Sequence, residues 1–356
     1  MTQAYESQHS VDQLELICDP LLQWYRANKR DLPWRNHISA YRVWLSEIML
    51  QQTRVEAVKP YYARFLEELP DLYALATCEE DKLMKLWQGL GYYNRVRNMQ
   101  KAAQVILQEH DGEFPKDYHQ ILSLPGIGTY TAGAISSIAF GITKPAVDGN
   151  VLRVLSRYLA SYDDIMKQQV RSNFERRLEA IIPDNAASDF NQSLIELGAL
   201  ICIPNGQPLC DICPLSLLCR AYRMKIQMEL PVKKKAKKRR VEEHTILRIR
   251  DQHVMVLHKR ANRGLLAGLY ELPNVLGFVT LEQLPEILNR YGICPKSIVP
   301  LPEAKHIFSH VEWNMIGYDI IVDNIGEHLK KPYIAAKHEE VITTYSIPTA
   351  FASYLP

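Results

Sequence analysis

The sequence predicts a multidomain chain, in which an all-helical domain precedes a smaller α+β domain. From Val11 to about Arg223, apolar residues recur every three or four positions, which is the period of amphipathic helices. After residue 244 the period changes to two, which is typical of strands. Between them, Pro231 and a lysine-rich run have nothing to bury and mark a boundary. We therefore divide the chain into 1–225, a basic linker 226–243, and 244–356.

The second domain begins with a predicted β-hairpin. Residues 244–250 and 253–258 alternate between apolar and polar side chains, and Asp251-Gln252 supplies the turn. Further strands are expected at 297–301 and 314–322, with a helix near 281–291. These elements predict an α+β fold.

The sequence pattern argues against a secreted protein and against a membrane-spanning protein. The N-terminus has no basic and apolar signal-peptide pattern, and the longest apolar stretch, 132–142, is too short to cross a bilayer. We expect a bacterial cytoplasmic protein, in a reducing compartment that suits thiolate ligands; the nucleus or the mitochondrion is expected only for a eukaryotic source. The net charge of +2 decides little, but residues 233–240 are almost all basic. That run is either a solvated linker or a phosphate contact, and in a eukaryote it would suit a nuclear localisation signal.

Four cysteines lie within eighteen residues, in the pattern C-x7-C-x2-C-x5-C. They are Cys202, Cys210, Cys213 and Cys219, whereas the other three cysteines are scattered. Such a group fits a tetrahedral zinc ion or a [4Fe-4S] cluster. A zinc ribbon usually has two close cysteine pairs, and only one C-x2-C occurs here. The spacing favours iron-sulfur.

Residues 124–128, Leu-Pro-Gly-Ile-Gly, separate two predicted helices, 118–122 and 129–140. Gly126 and Gly128 would let the turn expose backbone N-H groups that suit a phosphate oxygen. The alternative is an ordinary helix-helix turn.

Two carboxylates are candidates for acid-base chemistry. Glu47 falls on an otherwise apolar helical stripe, so it lies either at the exposed margin or in a desolvated position that raises its pKa. Asp148 precedes a predicted helix, where an N-cap is the usual role of Asp. It would also place a negative charge beside a developing cation, and the two roles are compatible.

Residues 87–95 combine two glycines with aromatic and amide side chains. Such a loop could wedge into a base stack. For Trp87 and Tyr93, packing in a core is the alternative.

Together and in this order, these segments resemble the helix-hairpin-helix DNA glycosylases with an iron-sulfur loop, specifically the adenine DNA glycosylases (MutY family). The similarity covers nearly the whole chain. Its segments are 28–35, 44–53 (WLSEIMLQQT), 87–95 (WQGLGYYNR), 124–134 (LPGIGTYTAGA), 147–151 (VDGNV), 190–199 (FNQSLIELGA) and the cysteine run. The resemblance implies a six-helix lobe at about 37–145 and an iron-sulfur lobe formed by 1–36 and 146–225.

The resemblance also implies the chemistry. Adenine mispaired with 8-oxoguanine or guanine in duplex DNA would be flipped into a pocket between the lobes, where its N-glycosidic bond is hydrolysed. Glu47 would protonate the base and later handle the water, and Asp148 would stabilise the oxocarbenium ion or add to it. By the same resemblance, Tyr130 and Asn150 would line the active site, and Arg35 and Gln192 would adjoin the flipped base. The residues expected to contact DNA are Gln52, Leu90, Tyr92, Gly126 and Gly128.

Position 130 bears on the mechanism. Bifunctional relatives carry a lysine there, which forms a Schiff base and leads to strand cleavage. Here the residue is Tyr130, and no lysine occurs between Lys116 and Lys144. A monofunctional glycosylase is expected.

The C-terminal domain resembles a Nudix fold that reads 8-oxoguanine, with Phe308, Ser309 and His310 matching the recognition loop. Nudix hydrolases hold magnesium with a run of glutamates, whereas residues 281–292 contain only Glu282 and Glu286. The domain is expected to bind the lesion and not to hydrolyse nucleotides.

By the same resemblance, the four clustered cysteines would hold one [4Fe-4S] cluster, and no nucleotide cofactor is expected. The spacer between the first two ligands has seven residues, where the family commonly has six. The expected assembly is a monomer on duplex DNA. Alternatives are a bifunctional glycosylase acting on pyrimidine lesions, a non-catalytic DNA-binding protein with a structural metal, and a hydrolase of oxidised nucleotides.

Overall fold

The structure is a computed structural model that describes residues 14–234, 238–290, 292–325, 329 and 332–355. Three sequence predictions fall partly outside these residues: the helical start at Val11, the middle of the basic run at 235–237, and the predicted helix end at Tyr291. The chain divides into two compact units. We call Met1–Thr77 with Arg97–Lys235 the helical unit, and Cys78–Val96 with Ala236–Pro356 the mixed unit.

The predicted helical region is confirmed as a series of short helices. They are α1 (Cys18–Asn28), α2 (Ala40–Leu50), α3 (Val55–Glu68), α4 (Leu72–Thr77), α5 (Glu80–Trp87), α6 (Asn94–Glu109), α7 (Tyr118–Ser123), α8 (Thr129–Ala134), α9 (Gly149–Leu159), α10 (Gln168–Glu179), α11 (Ala187–Leu200) and α12 (Arg220–Arg223). Short 3-10 turns occur at Pro33–Arg35 and Cys210–Ile212. None of the described helices has the length and apolar character needed to span a membrane.

The segment predicted as one helix over 129–140 is α8 followed by a π-helical turn, Ile135–Ala139. Gly133 lies where α8 meets another part of the backbone. A Cβ atom added there would be 2.0 Å from the Pro145 carbonyl oxygen. Only glycine permits this approach, which brings the segment before α9 against α8.

One core of the helical unit lies among α1, α9, α10 and α11. Leu21 of α1, Leu155 of α9 and Phe190 of α11 are fully buried in it. Cys202, Cys213 and Cys219 pack at its edge. The cysteine loop is therefore attached to the same core that carries α9 and α11.

The chain after α12 stays with the helical unit. Arg157 Nε donates to the Leu230 carbonyl at 3.0 Å, and Ile165 N donates to the Val232 carbonyl at 3.2 Å. Much of the stretch assigned to the linker, 226–243, is thus held to this unit. The predicted C-terminal end of the linker, residue 243, also differs from the structure, because the first strand begins at Arg240.

In the mixed unit, the described strands form one seven-stranded sheet. They are β1 (Arg240–Arg250), β2 (Val254–Lys259), β3 (Tyr270–Glu271), β4 (Asn274–Leu276), β5 (Ser297–Ile307), β6 (Val311–Ile321) and β7 (Tyr333–Lys337). The order is β3-β2-β1-β6-β5, with β4 paired to β1 and β7 to β2. The helices are α13 (Leu284–Arg290) and α14 (His338–Thr343), and a 3-10 turn spans Thr349–Tyr354.

The α+β prediction and the β1-β2 hairpin are confirmed. β1 also pairs in parallel with β6 along its whole length, from Arg240 opposite Val311 to Arg250 opposite Ile321. Alternate residues of β1 enter different cores, with Ile246 in one and Leu247 in the other. Both faces of the sheet are therefore covered.

Cys78–Val96, which the sequence analysis placed in the six-helix lobe, belongs to the mixed unit. Lys85 Nζ donates to the Tyr345 carbonyl at 3.1 Å, and Gln88 Nε2 donates to the Ile347 carbonyl at 2.7 Å. Lys259 Nζ meets the Asp81 carboxylate at 2.8 Å. These bonds attach α5 to the C-terminal part of the chain.

Candidate active site and metal centre

Asp148 caps α9. Its Oδ1 atom accepts hydrogen bonds from the backbone N-H groups of Asn150 and Val151, each at 2.8 Å. Its Oδ2 atom accepts from Asn150 Nδ2 at 2.7 Å. The predicted N-cap role is confirmed. The capping bonds hold the carboxylate in a fixed orientation at the N-terminus of α9.

Glu47 is buried within α2, with 8% of its surface exposed. The exposed-margin interpretation is wrong, because α2 is buried at nearly every position from Ala40 to Met49. The Tyr130 hydroxyl, on α8, donates to Glu47 Oε2. The desolvated alternative describes the side chain correctly.

Burial changes the pKa values of both Glu47 and Asp148. It raises the pKa of Glu47 to about 7, with a further upward contribution from the Asp148 charge; the Tyr130 hydrogen bond and Arg35 act in the opposite direction. Burial also raises the pKa of Asp148, but three donated hydrogen bonds oppose that shift by stabilising the carboxylate. Glu47 is thus suited to hold a proton near neutral pH and Asp148 to carry charge.

Arg35 and Gln192 meet at the same site. Arg35 follows Trp34 in the 3-10 turn, and its Nε donates to Gln192 Oε1 on α11 at 3.0 Å. Arg35 also binds the carboxylate of Glu196, one helical turn beyond Gln192. The sequence analysis missed Glu196, although its i+4 spacing from Gln192 was a usable signal.

A hydrogen-bonded path leads from Asp148 to the cysteine loop. Asn150, which donates to Asp148, accepts through Oδ1 from Arg153 Nη2 at 2.9 Å. Arg153 Nε donates to the Cys202 carbonyl at 2.7 Å. Arg157, one turn further along α9, donates to Cys202 Sγ at 3.3 Å. The sequence analysis missed both arginines, which share a helical face.

The four clustered cysteines line one cavity, together with Arg157, Tyr222 and Gln227. Burial raises the pKa of Cys213 to about 12 and also raises that of Cys210 and Cys219, and the nearby thiols add to each shift. Among the described residues, no three metal-ligating side chains converge on one point. The thiols surround a space, as ligands of a multi-iron cluster would.

The turn between α7 and α8 is the predicted hairpin. Ile127 N donates to the Leu124 carbonyl at 3.1 Å, and Gly126 has a φ of 76°, which favours glycine. Gly128 is the N-cap of α8 and has open space where a Cβ would stand. Both glycines are exposed. Gln52, also exposed, follows α2 with a φ of 61°.

The remaining predicted contacts lie in the mixed unit. Leu90 is buried at 5% exposure, whereas Tyr92 is 48% exposed. Trp87 and Tyr93 are core residues, so the packing alternative holds for both. Phe308 packs edge-on against Trp313, with ring centroids 5.0 Å apart, and the Ser309 and Tyr92 hydroxyls are 2.5 Å apart. His310 belongs to the β5-β6 turn, where its carbonyl accepts from Arg240 N at 3.2 Å.

Known proteins share both parts of the chain. Residues 45–180 match the HhH-GPD superfamily base excision DNA repair proteins, and residues 244–356 match the NUDIX domain. The adenine DNA glycosylase of Buchnera aphidicola subsp. Baizongia pistaciae is 35% identical over 309 residues, covering 86% of this chain and 86% of the relative. The Homo sapiens adenine DNA glycosylase is 33% identical and covers 90% of this chain and 69% of its own.

Solved structures resemble the helical part. A thermostable thymine-DNA glycosylase has a TM-score of 0.54 and 27% identity, covering 60% of this chain and 98% of its own. A trapped endonuclease III-DNA covalent intermediate has a TM-score of 0.52 and 25% identity, and the match covers 61% of this chain and 98% of the endonuclease III chain. The identity and coverage shared with the curated relatives establish that this chain is a DNA glycosylase belonging to the adenine DNA glycosylase family of the HhH-GPD superfamily.

Proposed function

We propose that this enzyme removes adenine mispaired with 8-oxoguanine or guanine in duplex DNA, as a monofunctional N-glycosylase. The observation that carries the proposal is the buried Glu47, whose raised pKa suits a general acid, beside the capped Asp148. The names of its relatives support adenine as the base removed.

The two carboxylates take different roles in the proposed reaction. The adenine must leave the base stack, because its glycosidic bond cannot be reached inside the duplex. Glu47 protonates the departing base, which makes it a better leaving group, and then assists the attacking water. Asp148 stabilises the positive charge that develops on the sugar, or adds to it. Tyr130 and Asn150 position Glu47 and Asp148 respectively, through the bonds that they donate.

The remaining site residues hold the substrate. Arg35 and Gln192 adjoin the flipped base, and their mutual hydrogen bond orients the Gln192 amide. The exposed glycines of the hairpin, Gly126 and Gly128, offer backbone N-H groups to a phosphate. Gln52 and Tyr92 are each exposed, which supports a role for either side chain in intercalation, whereas Leu90 is buried.

The mixed unit binds 8-oxoguanine through Phe308, Ser309 and His310. Hydrolysis of nucleotides is disfavoured, because a Nudix hydrolase needs free carboxylates for magnesium. Glu271, on β3, is paired with His258 Nδ1 at 2.8 Å and Arg260 Nη1 at 2.5 Å. The adjoining helix, α13, has only Glu286 in its first turn.

The cysteines Cys202, Cys210, Cys213 and Cys219 bind one [4Fe-4S] cluster, which closes the loop after α11. Their common cavity and thiol chemistry fit that group. When bound, the cluster supplies covalent iron-thiolate bonds that order the loop. Arg157 donates to Cys202 Sγ, which places a guanidinium beside this ligand. The enzyme is also proposed to act in the bacterial cytoplasm, as a monomer on duplex DNA.

Substituting Glu47→Gln is expected to lower single-turnover adenine excision by about 10²- to 10⁴-fold, the usual contribution of a general acid. Binding to mispaired DNA should change little, since the amide keeps the size of the carboxylate. A matched control is Glu56→Gln, which alters an exposed glutamate on α3. Excision by Glu47→Gln at the wild-type rate would contradict the assignment.

Borohydride treatment during the reaction should leave the wild-type protein without an efficient covalent DNA complex, because Tyr130 cannot form a Schiff base. The variant Tyr130→Lys provides the control, since it restores an amine at this position. Denaturing gels detect the complex. Efficient trapping of the wild-type protein, or excision of pyrimidine lesions with adenine left intact, would favour the bifunctional alternative.

Substituting Ser309→Ala should reduce the preference for adenine opposite 8-oxoguanine over adenine opposite guanine. The loss of one hydrogen bond predicts a change of about two- to tenfold. The measurement is excision from duplexes carrying adenine opposite each base. Thr280→Ala, at an exposed site of the same unit, is the control. An unchanged preference in Ser309→Ala would remove Ser309 from lesion recognition.

The purified protein should contain four irons per chain, and Cys213→Ser should lose them together with the visible absorption. Thermal stability should fall too, because metal binding and folding are coupled. Cys294→Ser, at an exposed cysteine away from the cluster, should keep its iron. One zinc and no iron in the wild-type protein is the result that would restore the zinc alternative.

A further inference from the structure

Glu196 is a fully buried carboxylate on α11, with 0% of its surface exposed. Two arginines surround it. Arg30 donates to its Oε1 from Nε at 2.9 Å and from the backbone N at 3.0 Å, and to its Oε2 from Nη2 at 2.7 Å. Arg35 donates from Nη2 to Oε2 at 3.0 Å. A carboxylate so deeply buried is retained only with such partners.

These contacts fix the orientation of Arg35. Its Nη1 donates to the Arg30 carbonyl at 2.8 Å, and its guanidinium lies over the Tyr25 ring, 5.4 Å from the centroid. With the Nη groups held in this way, Nε points to Gln192 Oε1. The Gln192 amide is held from both ends, because its Nε2 donates to Ser188 Oγ at 3.1 Å.

The same contacts set the charge beside the candidate catalytic carboxylates. Arg30, Arg35 and Glu196 together carry one net positive charge. The titratable or charged groups that act on Glu47 are Tyr130, Asp148 and Arg35. Since Arg35 favours the ionised form of Glu47, any group that neutralises Arg35 helps Glu47 keep its proton.

We propose that Glu196 is a positioning residue of the active site: it holds the Arg35 guanidinium against Gln192 and offsets the positive charge that Arg35 brings to the candidate catalytic carboxylates. Glu196 touches neither the substrate nor Glu47. The proposal rests on the proposed function, because it takes Glu47 as the general acid.

The chain offers a matched control on the same pair of helices. Arg26 of α1 and Asp189 of α11 form an ion pair at 2.9 Å, with side chains 58% and 31% exposed. Like Glu196→Gln, Asp189→Asn removes one carboxylate from α11; it leaves Arg26 without its ion pair, whereas Glu196→Gln affects two arginines. The carboxylate of Asp189 is partly exposed and pairs with Arg26, so solvent screens its charge.

The experiment is the pH profile of single-turnover adenine excision, measured at saturating protein so that DNA affinity does not contribute. A general acid is active when protonated, so the wild-type rate should fall as the pH rises through about 7. A separate fall on the acid side is expected where Asp148, whose pKa is raised by burial, takes up a proton, and it does not enter the comparison. Glu196→Gln adds net positive charge, which favours ionised Glu47 and should move this fall to lower pH. For each unit of displacement, the rate on the alkaline side drops about tenfold.

Arg30→Gln gives a second test of opposite sign. It removes one positive charge and leaves Glu196 paired with Arg35, so the fall should move to higher pH. This variant keeps the proposal testable if Glu196→Gln fails to fold, which thermal unfolding detects. Asp189→Asn should retain the wild-type profile.

The proposal is supported if the fall in excision rate moves to lower pH in Glu196→Gln and to higher pH in Arg30→Gln. It is overturned if Arg30→Gln keeps the wild-type profile, or if a folded Glu196→Gln keeps the profile of Asp189→Asn. A wild-type protein that does not excise adenine under any condition would instead refute the proposed function itself.

Discussion

The close packing of α11 against α1 and α9 is the constraint on which the rest of the helical unit depends. A Cβ atom at Gly198 would lie 2.6 Å from the Asn150 Cβ, so α11 approaches the N-terminus of α9 more closely than any larger residue permits. α11 carries Gln192 and Glu196 on one side and leads directly to Cys202. The packing of α11 therefore positions the candidate catalytic end of α9, the candidate base contact Gln192 and the cysteine loop.

This arrangement places charged groups where water cannot solvate them, and each is stabilised by a different means. Glu47 has a raised pKa and a hydrogen bond from Tyr130. Asp148 accepts backbone N-H groups at a helix terminus. Glu196 is matched by two guanidinium groups, which hold its pKa at about 2 despite burial. Three carboxylates of similar intrinsic acidity thus acquire distinct protonation behaviour from their surroundings.

The mixed unit pairs two of its acidic residues with basic side chains, as the helical unit pairs Glu196. Glu271 is paired with His258 and Arg260, and Asp319 of β6 is paired with Arg248 and Arg250. Carboxylates that are paired within the fold in this way are not available to hold a magnesium ion. The β5-β6 turn, with Phe308 packed on Trp313, leaves the Ser309 hydroxyl beside that of Tyr92.

Much of this protein could be predicted from local sequence. The change of period from three or four to two located the helical region and the β1-β2 hairpin, because side-chain spacing reflects which face of an element is buried. Asp148 was identified as an N-cap because capping depends on two neighbouring peptide groups. The four cysteines indicated a metal site through spacing alone, and the order of several long motifs indicated the family.

The tertiary structure decided what depends on residues distant in sequence. The stripe containing Glu47 was compatible with either an exposed margin or a buried site, and only the packing around α2 settled it, since desolvation is a property of all the neighbours. The same holds for Glu196, whose partners lie more than 160 residues away in sequence, and for Arg153 and Arg157, which reach Cys202. The sequence by itself determined the element types, the cap and the candidate ligands; long-range burial and charge pairing determined how each ionisable group behaves.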